Sequence, residues 1–161
     1  MFNKTDDMPT ILYKSRFVIA ILSAALLLFT SCKKTTDTIT AAQRSLAEQY
    51  FEANILNQNF IVHLATDNGT DLTAQYAGFT FRLFKNTLLD GPMTAVKGGV
   101  TYNGTWSCND DYSKLSITLG GGLPEFVFIN REWRFTKKAI PIMELAPWGT
   151  TEPKVLHMEK I

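Results

Sequence analysis

From residue 60 to its end the chain alternates apolar and polar positions with a period of two, in short runs broken by glycine, asparagine and aspartate. Side chains of a strand point alternately to its two faces, so each run predicts a half-buried strand. Phe60, Val62 and Leu64 line one face of the first, which stops at Asp67-Asn68-Gly69. Gly78–Leu83 reads as the second, with Phe79, Phe81 and Leu83 inward, and Met93–Lys97 as a short third closed by Gly98-Gly99. Val100–Cys108 is the fourth, with Val100, Tyr102, Gly104, Trp106 and Cys108 on one face, and Asp110-Asp111 marks the turn after it. Leu115, Ile117 and Leu119 form the fifth, ended by Gly120-Gly121-Gly122. PEFVFIN, from Pro124 to Asn130, breaks the alternation and reads as a helical turn. Trp133 and Phe135 belong to a sixth strand, Ile140–Leu145 to a seventh, Leu156 and Met158 to an eighth. The fold class is therefore all-β. Short strands in close succession with turns between them predict an antiparallel up-and-down meander of about eight strands, curled into a barrel or sandwich.

A different period precedes the strands. Thr40 and Gln43 form a capping-box pattern ahead of AAQRSLAEQYFEANI,. Ala42, Leu46, Tyr50 and Ala53 recur at helical spacing, with Arg44, Glu48 and Glu52 on other faces,. One amphipathic helix over residues 41–54 is predicted, its apolar face covering an open end of the strand domain.

The N-terminal pattern is neither. The uncharged stretch Phe17–Thr30 holds about fourteen residues, short of the roughly 17 to 25 that a helix needs to span a bilayer,. Lys14 and Arg16 precede it and the small Ser31 follows, the order of a secretory signal,. Asp6 and Asp7 are out of place in a basic leader, and Met8 begins a cleaner one. Residues 1–31 are thus expected to be a removable signal, 32–40 a tether and 41–161 a single domain. Phe29-Thr30-Ser31-Cys32 resembles the lipobox of bacterial lipoproteins, in which the cysteine is acylated and becomes the first residue. A thiolate is the best nucleophile available to accept a diacylglyceryl group, and it can do so only beside the membrane; the competing reading is an ordinary signal with an incidental cysteine. Lys33–Thr40 is polar and threonine-rich, a spacer between lipid and domain,. Asp37-Thr38-Ile39 resembles the motif at which some bacteria attach O-glycans, which would make Thr38 a glycosylation site. The Asn-Gly-Thr triplets at Asn68 and Asn103 both read as turns.

Composition narrows the classes. Sixteen Lys and Arg against fifteen Asp and Glu, interspersed, leave a net charge of +1 and no basic stripe for nucleic acid,. With Cys32 given to lipid, Cys108 stands alone on a strand face, where a cysteine behaves as a small hydrophobe,.

DNGTD at 67, GFTFRL at 78, GTWS at 104, LSITLG at 115, Asn130 with Trp133, and the terminal LHMEK together resemble a family of small bacterial lipocalin-like lipoproteins, from about Asn54 to the end. The resemblance implies an up-and-down barrel tethered by an N-terminal lipid. In true lipocalins the glycine and tryptophan motif lies on the first strand, whereas Gly104-Thr105-Trp106 sits mid-chain, so the kinship is one of architecture. KNTLLDG, residues 85–91, is an unusually apolar turn for the family, and Leu88 and Leu89 are expected to contact the helix.

Reactive chemistry is sparse. His63 and His157 fall on outward faces of the first and last strands, and Glu159 shares the second face. Barrel closure would bring them together, but two imidazoles are an incomplete zinc site, and solvated histidines are expected with no metal bound. DNGTD lacks the remaining EF-hand ligands, and Gly120–Gly122 lacks the context of a phosphate loop,. Ser107 has no histidine near it in sequence, and Asp110 and Asp111 diverge on a turn. Neither catalysis nor a cofactor is therefore expected. Phe81, Tyr102, Trp106 and Trp133, with Phe79 and Phe135, point inward and are the expected lining of a site for a small apolar ligand; an eight-stranded barrel is either filled by side chains or holds one such ligand,. The alternative is a solid barrel that docks another envelope component. Trp148 is expected exposed at a rim. Lys33-Lys34-Thr35-Thr36 lacks the acidic run that some related lipoproteins use for surface export, so the periplasmic side of the outer membrane is expected.

Overall fold

The computed structural model describes residues 41–161. The signal segment, Cys32, the tether and Thr38 lie outside the described residues. Helix α1 covers residues 41–54, the span expected from the sequence pattern. The strands follow as β1 (Asn59–Asp67), β2 (Thr70–Asp71), β3 (Thr80–Leu83), β4 (Asp90–Lys97), β5 (Val100–Cys108), β6 (Lys114–Leu119), β7 (Glu132–Lys137), β8 (Ile142–Pro147) and β9 (Lys154–Lys160). A 3₁₀ turn, Thr73–Tyr76, precedes β3, and helix α2, Pro124–Ile129, precedes β7.

Apart from the two-residue β2, which only extends a hairpin with β1, each strand pairs antiparallel with the next. β9 then pairs with β1 from Phe60↔Lys160 to Asp67↔Lys154. That last ladder closes an eight-stranded up-and-down barrel and rules out the sandwich, in which two sheets keep free edges. Closure satisfies the backbone groups an edge strand would leave open.

The interior holds the alternating apolar positions: Phe79, Phe81, Leu83, Leu115, Ile117, Trp133, Leu156 and Met158 are all buried. α2 is the helical turn expected from PEFVFIN; Phe126, Phe128 and Ile129 turn inward and Val127 faces solvent. Asn68 and Gly69, at φ 50° and 80°, make the tight β1–β2 hairpin that Asn-Gly favours,.

Three expectations change. First, α1 buries a different stripe. Phe51 is 1% exposed and Ala47 partly buried, whereas Leu46 is 65% and Tyr50 36% exposed, and Ala53 is also exposed. Ala47, Phe51 and Ile55 recur at the same helical spacing, and the barrel end they meet is aromatic. Phe51 sits 5.0 Å from the Tyr112 ring, 5.7 Å from Trp106 and 6.2 Å from Phe135. Tyr50 instead lies along the rim, its hydroxyl donating to Lys138 O at 2.6 Å.

Second, β1 carries a bulge between Val62 and Leu64 that shifts its phase by one, so that Ala65 is buried and Leu64 only half-buried,. Third, Asn103 is no turn: it lies within β5 opposite Thr94, and the β4–β5 hairpin is made by Gly98 and Gly99 at φ 57° and 80°. The glycine after Asn103 serves packing instead. A Cβ on Gly104 would stand 2.1 Å from Thr118 O, so β6 crosses β5 closer there than any side chain allows.

Candidate functional site

Two caps close the barrel, and the inward rings divide between them. At the α1 end, Phe51 fills the mouth against Trp106, Tyr112 and Phe135. At the other, α2 and the 3₁₀ turn bring Phe126 to 5.3 Å from Tyr102 and 5.5 Å from Phe79, and Phe128 to 5.5 Å from Trp133. Phe81 lies deeper, 5.8 Å from Phe79 and 6.5 Å from Tyr76. Of the four residues expected to line one cavity, Trp106 thus belongs to the first cluster and Phe81, Tyr102 and Trp133 to the second.

Phe81 and Trp133 are 0% and Trp106 2% exposed. A ring beside a void able to hold water would keep accessible surface, so Phe81 and Trp133 meet protein atoms on all sides and Trp106 nearly so, as in a close-packed interior,. Hydrogen bonds lock the arrangement: Trp106 Nε1 donates to Phe84 O at 2.8 Å, Trp133 Nε1 to Ile129 O at 2.9 Å and the Tyr76 hydroxyl to Glu125 O at 2.7 Å. Burial raises the Tyr76 hydroxyl above its ordinary range, with the Glu125 charge acting in the same direction. Tyr102 alone of the four is partly exposed.

Closure of the seam brings His63 to Glu159. His63 Nδ1 lies 3.3 Å from Glu159 Oε2, while His157 is registered between Leu64 and Glu144. Among the described residues no three His, Cys, Asp or Glu side chains gather as a metal site would need. The DNGTD carboxylates are engaged: Asp67 pairs with Lys154, and Asp71 Oδ1 accepts from Thr73 N at 2.8 Å. The same contacts hold both carboxyls below the usual aspartate range. Asp110 reaches Arg44 at 3.6 Å and Asp111 takes Ser113, so the two acids diverge. Cys108 is partly buried, and burial pushes its thiol up to about 12, opposed by the Lys138 charge. Leu88 and Leu89 are partly buried against the core.

Concavity lies on the outer wall. A groove of about 510 Å³ crosses β4, β5 and β6, lined by Asp90, Pro92, Thr105, Ser107, Ser116 and Thr118 and closed at one side by Asn86. Its wall exists because the 84–90 loop folds back over Gly91, where a Cβ would stand 2.0 Å from Phe84 O. The alternation marks Thr105, Ser107, Ser116 and Thr118 as outward and polar, but only the strand register brings them together. A second concavity, about 490 Å³, lies along Arg134, Gly149, Thr150 and Thr151 beside the β8–β9 turn, where Trp148 is 36% exposed. Comparisons with protein-family models, with characterised proteins and with solved structures returned no match.

Proposed function

We propose that this chain is a lipid-anchored protein of the bacterial cell envelope, a lipocalin-like lipoprotein held by acyl chains on Cys32 at the periplasmic side of the outer membrane. It works without catalysis, as a binding module, and it binds through its outer wall and loops. The observation that carries the surface reading is the complete burial of Phe81 and Trp133 and near-complete burial of Trp106, which leaves the barrel solid where a ligand would have to sit. The lipobox and the basic, apolar, small order of the leader support the anchor,.

A small apolar ligand inside the barrel is the second reading, favoured by one feature. The α1 end is stoppered chiefly by Phe51, and the helix joins β1 through Asn57, a non-glycine residue at φ 58°. Displacing α1 there would uncover Trp106 and Tyr112. Native mass spectrometry of the full chain, purified from expressing bacteria in mild detergent, separates the two. The solid barrel predicts a protein mass carrying covalent lipid alone; an apolar molecule released on denaturation would replace it with the cavity reading.

A further inference from the structure

We propose that the outer wall between the β4–β6 groove and Trp148 binds an uncharged saccharide chain. The inference rests on the surface-binding reading and gives it a ligand class. Antiparallel register sets six groove residues in two rows: Pro92, Thr105 and Thr118 in one, Asp90, Ser107 and Ser116 in the next. All face outward, because the residues alternating with them, Gly91, Met93, Trp106, Ile117 and Leu119, are buried. With strands about 4.8 Å apart and alternate residues of a strand about 6.8 Å apart, the four hydroxyls form a grid on the scale of a sugar ring. Each hydroxyl donates and accepts, the mixed capacity that a polyol also carries.

Charge narrows the class further. Among the described residues Asp90 is the groove's only carboxylate, and its Oδ1 already accepts from Thr87 Oγ1 at 2.8 Å and Asn86 Nδ2 at 3.3 Å. Among the described residues no lysine or arginine lines the groove, so a phosphate or an acidic sugar would meet no counter-charge there. An acyl chain would desolvate the hydroxyls without pairing them, which is unfavourable.

The second row continues onto β7, where Ser116 faces Glu132. Glu132 is neutralised by Lys114 Nζ at 2.7 Å, and the same ammonium stands 5.8 Å from the Trp148 ring centre. Trp148 N donates to Glu132 O at 3.0 Å, so the exposed indole lies one strand further along the same wall. Two strand spacings, roughly 10 Å, separate the hydroxyl grid from the ring. Hydrogen bonding at one end and an aromatic face at the other, on which the apolar face of a pyranose can stack, fit a ligand of more than one sugar.

The test is two-dimensional amide NMR of the full mature chain titrated with maltohexaose, cellohexaose and mannohexaose. At least one should shift the amides of Thr105, Ser107, Ser116 and Thr118 and the Trp148 indole together. Trp148→Ala should weaken binding about tenfold, the scale of one aromatic contact. The double variant Thr105→Val with Ser116→Ala should abolish saturation while leaving the urea midpoint in place. Absence of these shifts with all three sugars at millimolar concentration overturns the saccharide assignment and leaves surface binding standing. Shifts centred on Phe81 and Trp133 would instead overturn surface binding itself.

Discussion

Asn130 shows how one side chain can stand in for backbone. β6 pairs with β7 only at Lys114, Leu115 and Ser116, and beyond them the Asn130 amide accepts from Leu119 N at 2.6 Å and donates to Leu119 O at 2.9 Å. Asn130→Ala should therefore cost about 1–3 kcal/mol, the penalty of stranding a buried peptide group, read as a lower urea midpoint. Cys108 makes the complementary case. Its thiol is raised in the folded chain, so between pH 9 and about 12 the folded state holds a proton that the unfolded state has lost. Its contribution to stability is complete below that window and falls as pH rises through it. In a Cys32→Ser background at pH 8, a thiol-specific disulfide reagent should modify Cys108 about a hundredfold more slowly in the folded chain than in urea. Equal rates would show that the thiol is not shielded by the fold. Asn130 and Cys108 were both legible as residues, but the gap that Asn130 fills exists only once β6 and β7 diverge.

At the scale of elements, α1 separates what periodicity specifies from what packing selects. Two stripes with helical spacing coexist in AAQRSLAEQYFEANI, and a period count cannot rank them. The aromatic mouth of the barrel takes the one with Phe51, a ring with no hydroxyl to satisfy, and leaves Tyr50 at the rim where its hydroxyl donates to Lys138 O. Phe51→Ala should cost about 3–5 kcal/mol in urea unfolding, as for other buried phenylalanines. Leu46→Asp, on the exposed stripe, should stay within about 0.5 kcal/mol. Reversed effects would return α1 to the face read from Ala42, Leu46 and Tyr50. β1 gives the same lesson in a strand: Phe60 and Val62 follow the alternation, and the bulge after Val62 hands the next inward place to Ala65. A bulge responds to the neighbouring strand, so nothing within NFIVHLATD announces it.

For the whole molecule, the closing β1–β9 ladder joins the first and last strands of the barrel, and the proposed anchor is carried by Cys32, outside the described residues. Each buried methylene contributes about 0.8 kcal/mol, so one acyl chain anchors reversibly and two or three hold essentially permanently. Cys32→Ser should accordingly move the protein from the membrane pellet to the soluble fraction, checked by fractionation and immunoblot. Unchanged fractionation would refute the anchor and leave the barrel unaffected. Among the described residues no helix is long and apolar enough to cross a membrane.

By itself the sequence determined the all-β class, the strand count of the barrel, the span of α1, the helical turn after Gly122 and the inward rings. Each of these follows from local periodicity, turn residues or a cap, which act over a few neighbouring positions. Tertiary structure alone decided which stripe of α1 is buried, where β1 slips its phase and why Gly104 is glycine. It also divided the inward rings into two capped clusters and assembled Thr105, Ser107, Ser116 and Thr118 on one wall. All of these depend on cross-strand register and on the space left between elements, which are set by contacts among residues far apart in the chain.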